Sequence, residues 1–173
     1  MRLLRGTEGS VLWLRHMGAP AWAHLTRAAE RCGVDSERLV FANRMPSMAE
    51  HLGRLALADL YLDTVPYNAH STVCDALWAG VPVLTCTGNS FASRVAASAL
   101  TAAGVPELIT DNLASYERCG RELAERPDRL QALRSRLALQ GKRSPLFDTT
   151  RYTLDLETAL RSMHEAQSAA VTR

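Results

Sequence analysis

Lysine is almost missing from this chain of 173 residues: Lys142 is the only one, and arginine carries the remaining positive charge. That bias reads as coding composition rather than as a functional signal. Charge of either sign is not in excess, since 20 Lys+Arg stand against 18 Asp+Glu for a net charge of +2. A chain so balanced has no electrostatic footprint for nucleic acid. Cysteine is sparse and dispersed (Cys32, Cys74, Cys86, Cys119), and no CxxC pair exists, which excludes a zinc knuckle and a thioredoxin-like motif. Free thiols in a reducing compartment are the expected state, so the expected location is cytoplasmic. His16, His24 and His164 show no ligand spacing, and no metal is expected. No apolar run approaches the ~20 residues that cross a bilayer, and MRLLRGTEGS lacks the apolar centre of a signal peptide, so no membrane association is expected. No GxGxxG follows a strand, which removes the dinucleotide-binding fingerprint.

What the chain does contain is enough apolar sequence for a core, 47% of residues, in a length that suits one domain. Short apolar runs alternate with helical patterns. Strands are predicted at Val11–Arg15, Arg38–Phe41, Ala58–Asp63, Val81–Thr85 and Glu107–Ile109. Helices are predicted at Ala21–Cys32, from Ser47 with Glu50 in the capping-box position, and at Ser71–Ala79 and Ser90–Ala103. Two amphipathic helices follow at Tyr116–Ala124 and Pro127–Gln140, with a last one from about Thr150 to Ala166 and then a polar tail. The strands are continuous apolar runs rather than alternating ones, which predicts a parallel sheet covered on both faces. The expected fold is therefore α/β, a doubly wound Rossmann-like parallel sheet in one domain over 1–173, with about 144–173 as a C-terminal helical extension. Trp13, Trp22 and Trp78 are expected in the core.

In such a sheet, ligands sit beyond the carboxyl ends of strands, at helix N-termini. The segment LYLDTVPYNAHSTVCDALWAGVPVLT (Leu60–Thr85) puts a polar loop and then His70-Ser71-Thr72 at that place. Unpaired N–H groups and the positive end of the helix dipole suit an anion. Ser71 and Thr72 add hydroxyls, His70 an imidazole, and Asp75 could accept from sugar hydroxyls. The same residues are equally those of a plain helix cap.

His51 and Arg54 share a helix face, where they could lie against a planar base or reach a phosphate, or where Arg54 could simply pair with Glu50. Ser93 and Arg94, in FASRVAAS, could face the same cleft or serve close helix packing. Asp63 and Thr64 could be site residues or turn chemistry.

The block EHLGRLALADLYLDTVPYNAHSTVCDALWAGVPVLT (Glu50–Thr85), with FASRVAASAL (Phe91–Leu100), SVLWL, RLVF and SPLFDTTRYTLDLE in matching order, resembles the protein O-GlcNAc transferases, especially the bacterial TPR-linked members. The resemblance runs from about Ser10 to Met163. It implies the C-terminal half of a GT-B glycosyltransferase fold, the half that binds the UDP of UDP-GlcNAc. It implies transfer of the sugar to protein Ser or Thr with inversion, without a metal or other cofactor. Carried over residue by residue, His70, Ser71 and Thr72 hold the diphosphate and Asp75 the ribose. His51 and Arg54 frame the uracil, and main-chain groups near Met45 and Pro46 touch the base.

Animal members carry a lysine near the position of Ser47 or Met48, and this chain has none there. The resemblance also leads one to expect that the N-terminal GT-B half, a TPR region and the proton-handling residues lie outside this sequence. The chain alone is then expected to bind UDP without transferring sugar. Its partners are the missing half, a protein acceptor and, through an exposed apolar face, a second copy of itself. Two further readings stand beside this one: a non-catalytic nucleotide-binding module, and a related GT-B transferase using another nucleotide sugar.

Overall fold

The computed structural model describes residues 1–171, with side chains through Ser168. Five short strands run as β1 Leu12–Arg15, β2 Leu39–Ala42, β3 Tyr61–Leu62, β4 Val83–Cys86 and β5 Ile109–Thr110. The helices are α1 Arg2–Gly6, α2 Ala19–Arg31, α3 Met48–Leu55, α4 Ser71–Trp78, α5 Val95–Ala102, α6 Leu113–Glu125, α7 Pro127–Gln140 and α8 Thr149–Val171. The predicted elements are present, with α1 as an addition. The predicted helix Ser90–Ala103 begins as a separate 3-10 turn, Phe91–Ser93, before α5. The predicted strand at Glu107–Ile109 is mostly a 3-10 turn, Pro106–Leu108, because Pro106 starts it. Part of the predicted polar tail continues α8; residues 172–173 lie outside the described residues.

Every strand pairing is parallel, as expected of βαβ connections. The ladders form two groups rather than one continuous sheet: β1 with β2, and β3-β4-β5 with β4 in the centre. Burial differs accordingly. All four residues of β4 are buried, whereas β1 alternates between half-buried and exposed, so the expectation of a sheet covered on both faces holds for β4 and not for β1. The main core gathers Val73, Leu77, Val83, Leu100, Leu108, Leu123 and Leu137 from the helices and strands around β4. A smaller core joins Leu4, Ala29, Val34 and Leu39 beneath β1 and β2.

Two helices return to the sheet through the same device. Gly80 (φ +77°) and Gly104 (φ +77°) adopt the left-handed conformation just past α4 and α5. Gly80 N–H donates to Leu77 O at 3.1 Å and Val81 N–H to Ala76 O at 2.9 Å; Gly104 and Val105 repeat the pattern on Thr101 O and Leu100 O. This satisfies the last carbonyls of each helix and places Val81 and Val105, both fully buried, in the core.

The three tryptophans are a correction. Trp13, Trp22 and Trp78 are all partly exposed rather than core residues. Trp13 lies under the Arg54 guanidinium, Trp22 against Phe41, and Trp78 between Phe147 and the Lys142 ammonium. Their indoles cover cations and neighbouring rings at the surface while the small aliphatic residues fill the interior. The four cysteines are free, with Cys86 buried and the others half-buried.

Candidate functional site

The loops after β2 and β3 leave the carboxyl ends of two parallel strands, and the helices they feed, α3 and α4, pack against each other. Ser47 begins α3 with a complete capping box. Its side chain accepts from Glu50 N–H at 3.2 Å, and the Glu50 carboxylate accepts from Ser47 N–H at 3.0 Å. Glu50 is thereby occupied, and no Glu50–Arg54 ion pair forms among the described residues. Arg54 instead donates to the carbonyl of Asn43, bracing the loop that carries Met45 and Pro46, with its guanidinium 5.7 Å from the Trp13 ring centre. His51, one turn before Arg54, places Nε2 at 3.4 Å from Asp75 Oδ2 on α4. The two residues singled out on separate helices are therefore neighbours in space.

At the start of α4 stand His70, Ser71 and Thr72. His70 occupies the cap position, and no side chain caps the helix. Ser71 and Thr72 are its first two residues and both are exposed. The first N–H groups of an α-helix have no partner within it, so this end presents donors, two hydroxyls and the positive end of the dipole to the same side. Tyr61, the first residue of β3, donates to Thr72 Oγ1 at 3.5 Å. The His70 ring stacks on Tyr67 (centres 4.8 Å, planes 21° apart) and meets the edge of Phe91 at 6.0 Å. Its Nε2 is buried without a hydrogen-bond partner among the described residues.

The loop between β3 and α4 hangs on Asp63, which is buried. Its Oδ1 accepts from Thr64 N–H at 2.8 Å and Ala69 N–H at 2.7 Å, and its Oδ2 accepts from Thr85 Oγ1 at 2.6 Å. Asp63 thus acts as a brace behind the loop. Ser93 is likewise structural: buried, in reciprocal hydrogen bonds with Ser90, and so close to Gly88 that a Cβ there would lie 2.7 Å from its hydroxyl oxygen. Arg94 is exposed at the start of α5, and its side chain makes no hydrogen bond or ion pair among the described residues. Asn68, Tyr67 and Phe91 escaped the sequence reading. The signal available was an aromatic, Tyr67, in the short loop that leads to His70. No three His, Cys, Asp or Glu side chains converge as metal ligands among the described residues, nor is any described helix long and apolar enough to cross a membrane.

Comparison with known proteins decides the family. The sequence model described as glycosyl transferase family 41 matches residues 1–156. The chain belongs to glycosyl transferase family 41. Within that family it is 36% identical, over 163 residues, to the UDP-N-acetylglucosamine–peptide N-acetylglucosaminyltransferase of Caenorhabditis elegans, covering 94% of this chain and 14% of that protein. A probable enzyme of the same name from Arabidopsis thaliana is 35% identical over 162 residues, covering 93% of this chain and 16% of that protein. The solved structure of a mutant Thermobaculum terrenum O-GlcNAc transferase superposes with a TM-score of 0.84 at 30% identity, over 94% of this chain and 32% of that one. The family 41 chain thus spans about a seventh of the curated relatives and a third of the solved structure. The α/β, Rossmann-like class read from the sequence is what this likeness shows, in the setting of a GT-B glycosyltransferase.

Proposed function

We propose that this chain is the donor-nucleotide domain of a protein O-GlcNAc transferase, binding UDP-GlcNAc at the α3–α4 junction. The observation that carries the reading is the open N-terminus of α4 beside the His51–Asp75 contact, in a chain of glycosyl transferase family 41. Ser71, Thr72 and the free N–H groups of α4 hold the diphosphate, with His70 at its flank. Asp75 accepts from the ribose hydroxyls. His51, Arg54 and the backbone near Met45 and Pro46 frame the uracil.

When the glycosidic bond breaks, negative charge gathers on the departing UDP. Donors already fixed at the start of α4 stabilise that charge without reorganising, which is how this domain serves an inverting transfer to a protein Ser or Thr hydroxyl with no metal. The base for the acceptor and the rest of the cleft belong to an N-terminal half that pairs with residues 1–173, and a TPR region and a protein acceptor are the further partners. The described residues form a single Rossmann-like domain, with the segment from about residue 144 to residue 171 as its helical extension. By itself the chain binds UDP and does not turn over. Calorimetric titration with UDP tests the site: His70→Ala and Asp75→Ala each weaken binding at least fivefold. Unchanged affinity in both variants removes the assignment.

A further inference from the structure

The helix that carries His51 and Arg54 is seated differently from its neighbours. The helices α4 and α7 each place buried side chains in the main core, whereas all eight residues of α3 keep some exposure. The last turn of α3 closes on backbone bonds. Ala56 N–H donates to Leu52 O at 3.0 Å, Leu57 N–H to Arg54 O at 3.1 Å and Ala58 N–H to Leu55 O at 2.9 Å. The carbonyls of Ala56 and Ala58 lie just beyond, and both accept from one side chain, Arg134 on α7. Its Nη2 donates to Ala56 O at 2.9 Å and its Nη1 to Ala58 O. Arg134 follows Leu133 and precedes Leu137 by three residues, and both leucines are buried in the main core. The guanidinium is therefore a strut between that core and the exit of α3. A cation placed there also meets the negative end of the helix dipole.

We propose that Arg134 is a positioning residue for the nucleotide site: by holding the exit of α3 it sets where His51 and Arg54 stand against the base. This role rests on the reading of the α3–α4 junction as the nucleotide site. Two other polar devices of α3 act within one stretch of chain. The capping box joins Ser47 to Glu50, and Arg54 reaches the carbonyl of Asn43. They shape the segment locally but move with it. The His51–Asp75 contact does cross to α4, but it is a single contact at 3.4 Å between partly exposed groups, a kind that contributes little. Arg134 makes two charge-assisted bonds from one planar fork, which fixes direction as well as distance. The cradle at the start of α4 does not depend on it. That helix is seated by Val73, Ala76 and Leu77, and its loop by Asp63. Loss of Arg134 therefore disturbs the base side of the site and spares the diphosphate side.

The test is calorimetry of the 173-residue chain with UDP and with inorganic pyrophosphate, in wild type, Arg134→Met and Arg134→Lys. Methionine keeps an unbranched stem on α7 and removes both donors. Lysine keeps the charge without the fork. Arg134→Met is expected to weaken UDP about fivefold and to leave pyrophosphate unchanged, and Arg134→Lys to weaken UDP about twofold. Circular dichroism checks folding; should the methionine variant fail to fold, the lysine variant decides by the same comparison of the two ligands. Equal losses for UDP and pyrophosphate, or unchanged UDP affinity, overturn the positioning role and leave the site standing. Wild-type chain that binds pyrophosphate but not UDP overturns the base side of the site and the role of Arg134 with it. Wild type that does not bind pyrophosphate overturns the cradle, and with it the site on which the role depends.

Discussion

Asp63 and Thr85 are joined by a 2.6 Å hydrogen bond between two buried side chains, from the Thr85 hydroxyl to Asp63 Oδ2. The bond links the end of β3 to the central strand β4. From the other oxygen of the same carboxylate hang the N–H groups of Thr64 and Ala69, the two ends of the loop that delivers His70. The position of the α4 N-terminus is therefore referred to the core of the sheet.

Thr85→Val keeps the shape of the side chain and leaves one carboxylate oxygen of Asp63 without its partner. A buried polar group left unsatisfied costs roughly 1–3 kcal/mol, so the urea midpoint falls by the equivalent of that amount. UDP affinity falls with it, because the loop follows the carboxylate. A stability equal to wild type refutes the brace.

Tyr116 reports on the same residue from the other side, donating to Asp63 O at 3.0 Å. Burial, followed by the nearness of Asp63, Cys86 and Tyr61, pushes its hydroxyl above the ordinary tyrosine range. In the unfolded chain the phenol titrates near ~10. Above that pH the unfolded state has lost the proton and the native state retains it, so the native state binds more protons and stability falls as pH rises. The contribution is fully present below pH ~10 and is lost as the pH climbs past it. Tyr116→Phe is expected to cost about 1 kcal/mol at neutral pH and to flatten the alkaline limb of the stability curve. Measurement of urea midpoints between neutral and alkaline pH separates the two effects.

His51 and Asp75 connect α3 to α4 across 3.4 Å, each side chain less than a third exposed. A double-mutant cycle with His51→Ala and Asp75→Ala should return a coupling of about 0.5 kcal/mol, in the range of partly exposed pairs. Strict additivity in urea titrations speaks against a direct contact.

Gly120, on α6, marks the docking of α1. A Cβ at this position would meet Leu3 Cδ1 at 2.9 Å and Leu84 Cδ2 at 3.3 Å. Alanine is worth up to ~1 kcal/mol over glycine inside a helix, and overpacking costs about 1–3 kcal/mol, so Gly120→Ala is predicted to be net destabilising. In a Leu3→Ala background the crowding at α1 is relieved and the same substitution becomes neutral or stabilising. Thermal denaturation of the four chains decides it, and a stabilising Gly120→Ala in the wild-type background contradicts the packing described.

Elements that depend on neighbours in the chain are legible in the sequence. The capping box of Ser47 and Glu50, the glycines that stop α4 and α5, and Pro127 at the start of α7 act within a few residues, so their chemistry is written locally. The alternation of apolar runs and helical patterns determined the α/β class for the same reason, and the ordered blocks from Ser10 onward determined the family. The tertiary structure decided what depends on residues far apart in sequence. It brought His51 to Asp75, turned Arg54 onto the Asn43 carbonyl and Trp13, and made Asp63 a brace rather than a ligand. It moved three tryptophans to the surface and left Tyr67 and Phe91 exposed around His70. Local propensity can say that a helix begins at Ser71; only the packing of α3 on α4 and of the Tyr67 loop on the Phe91 turn determines which side chains stand around that beginning.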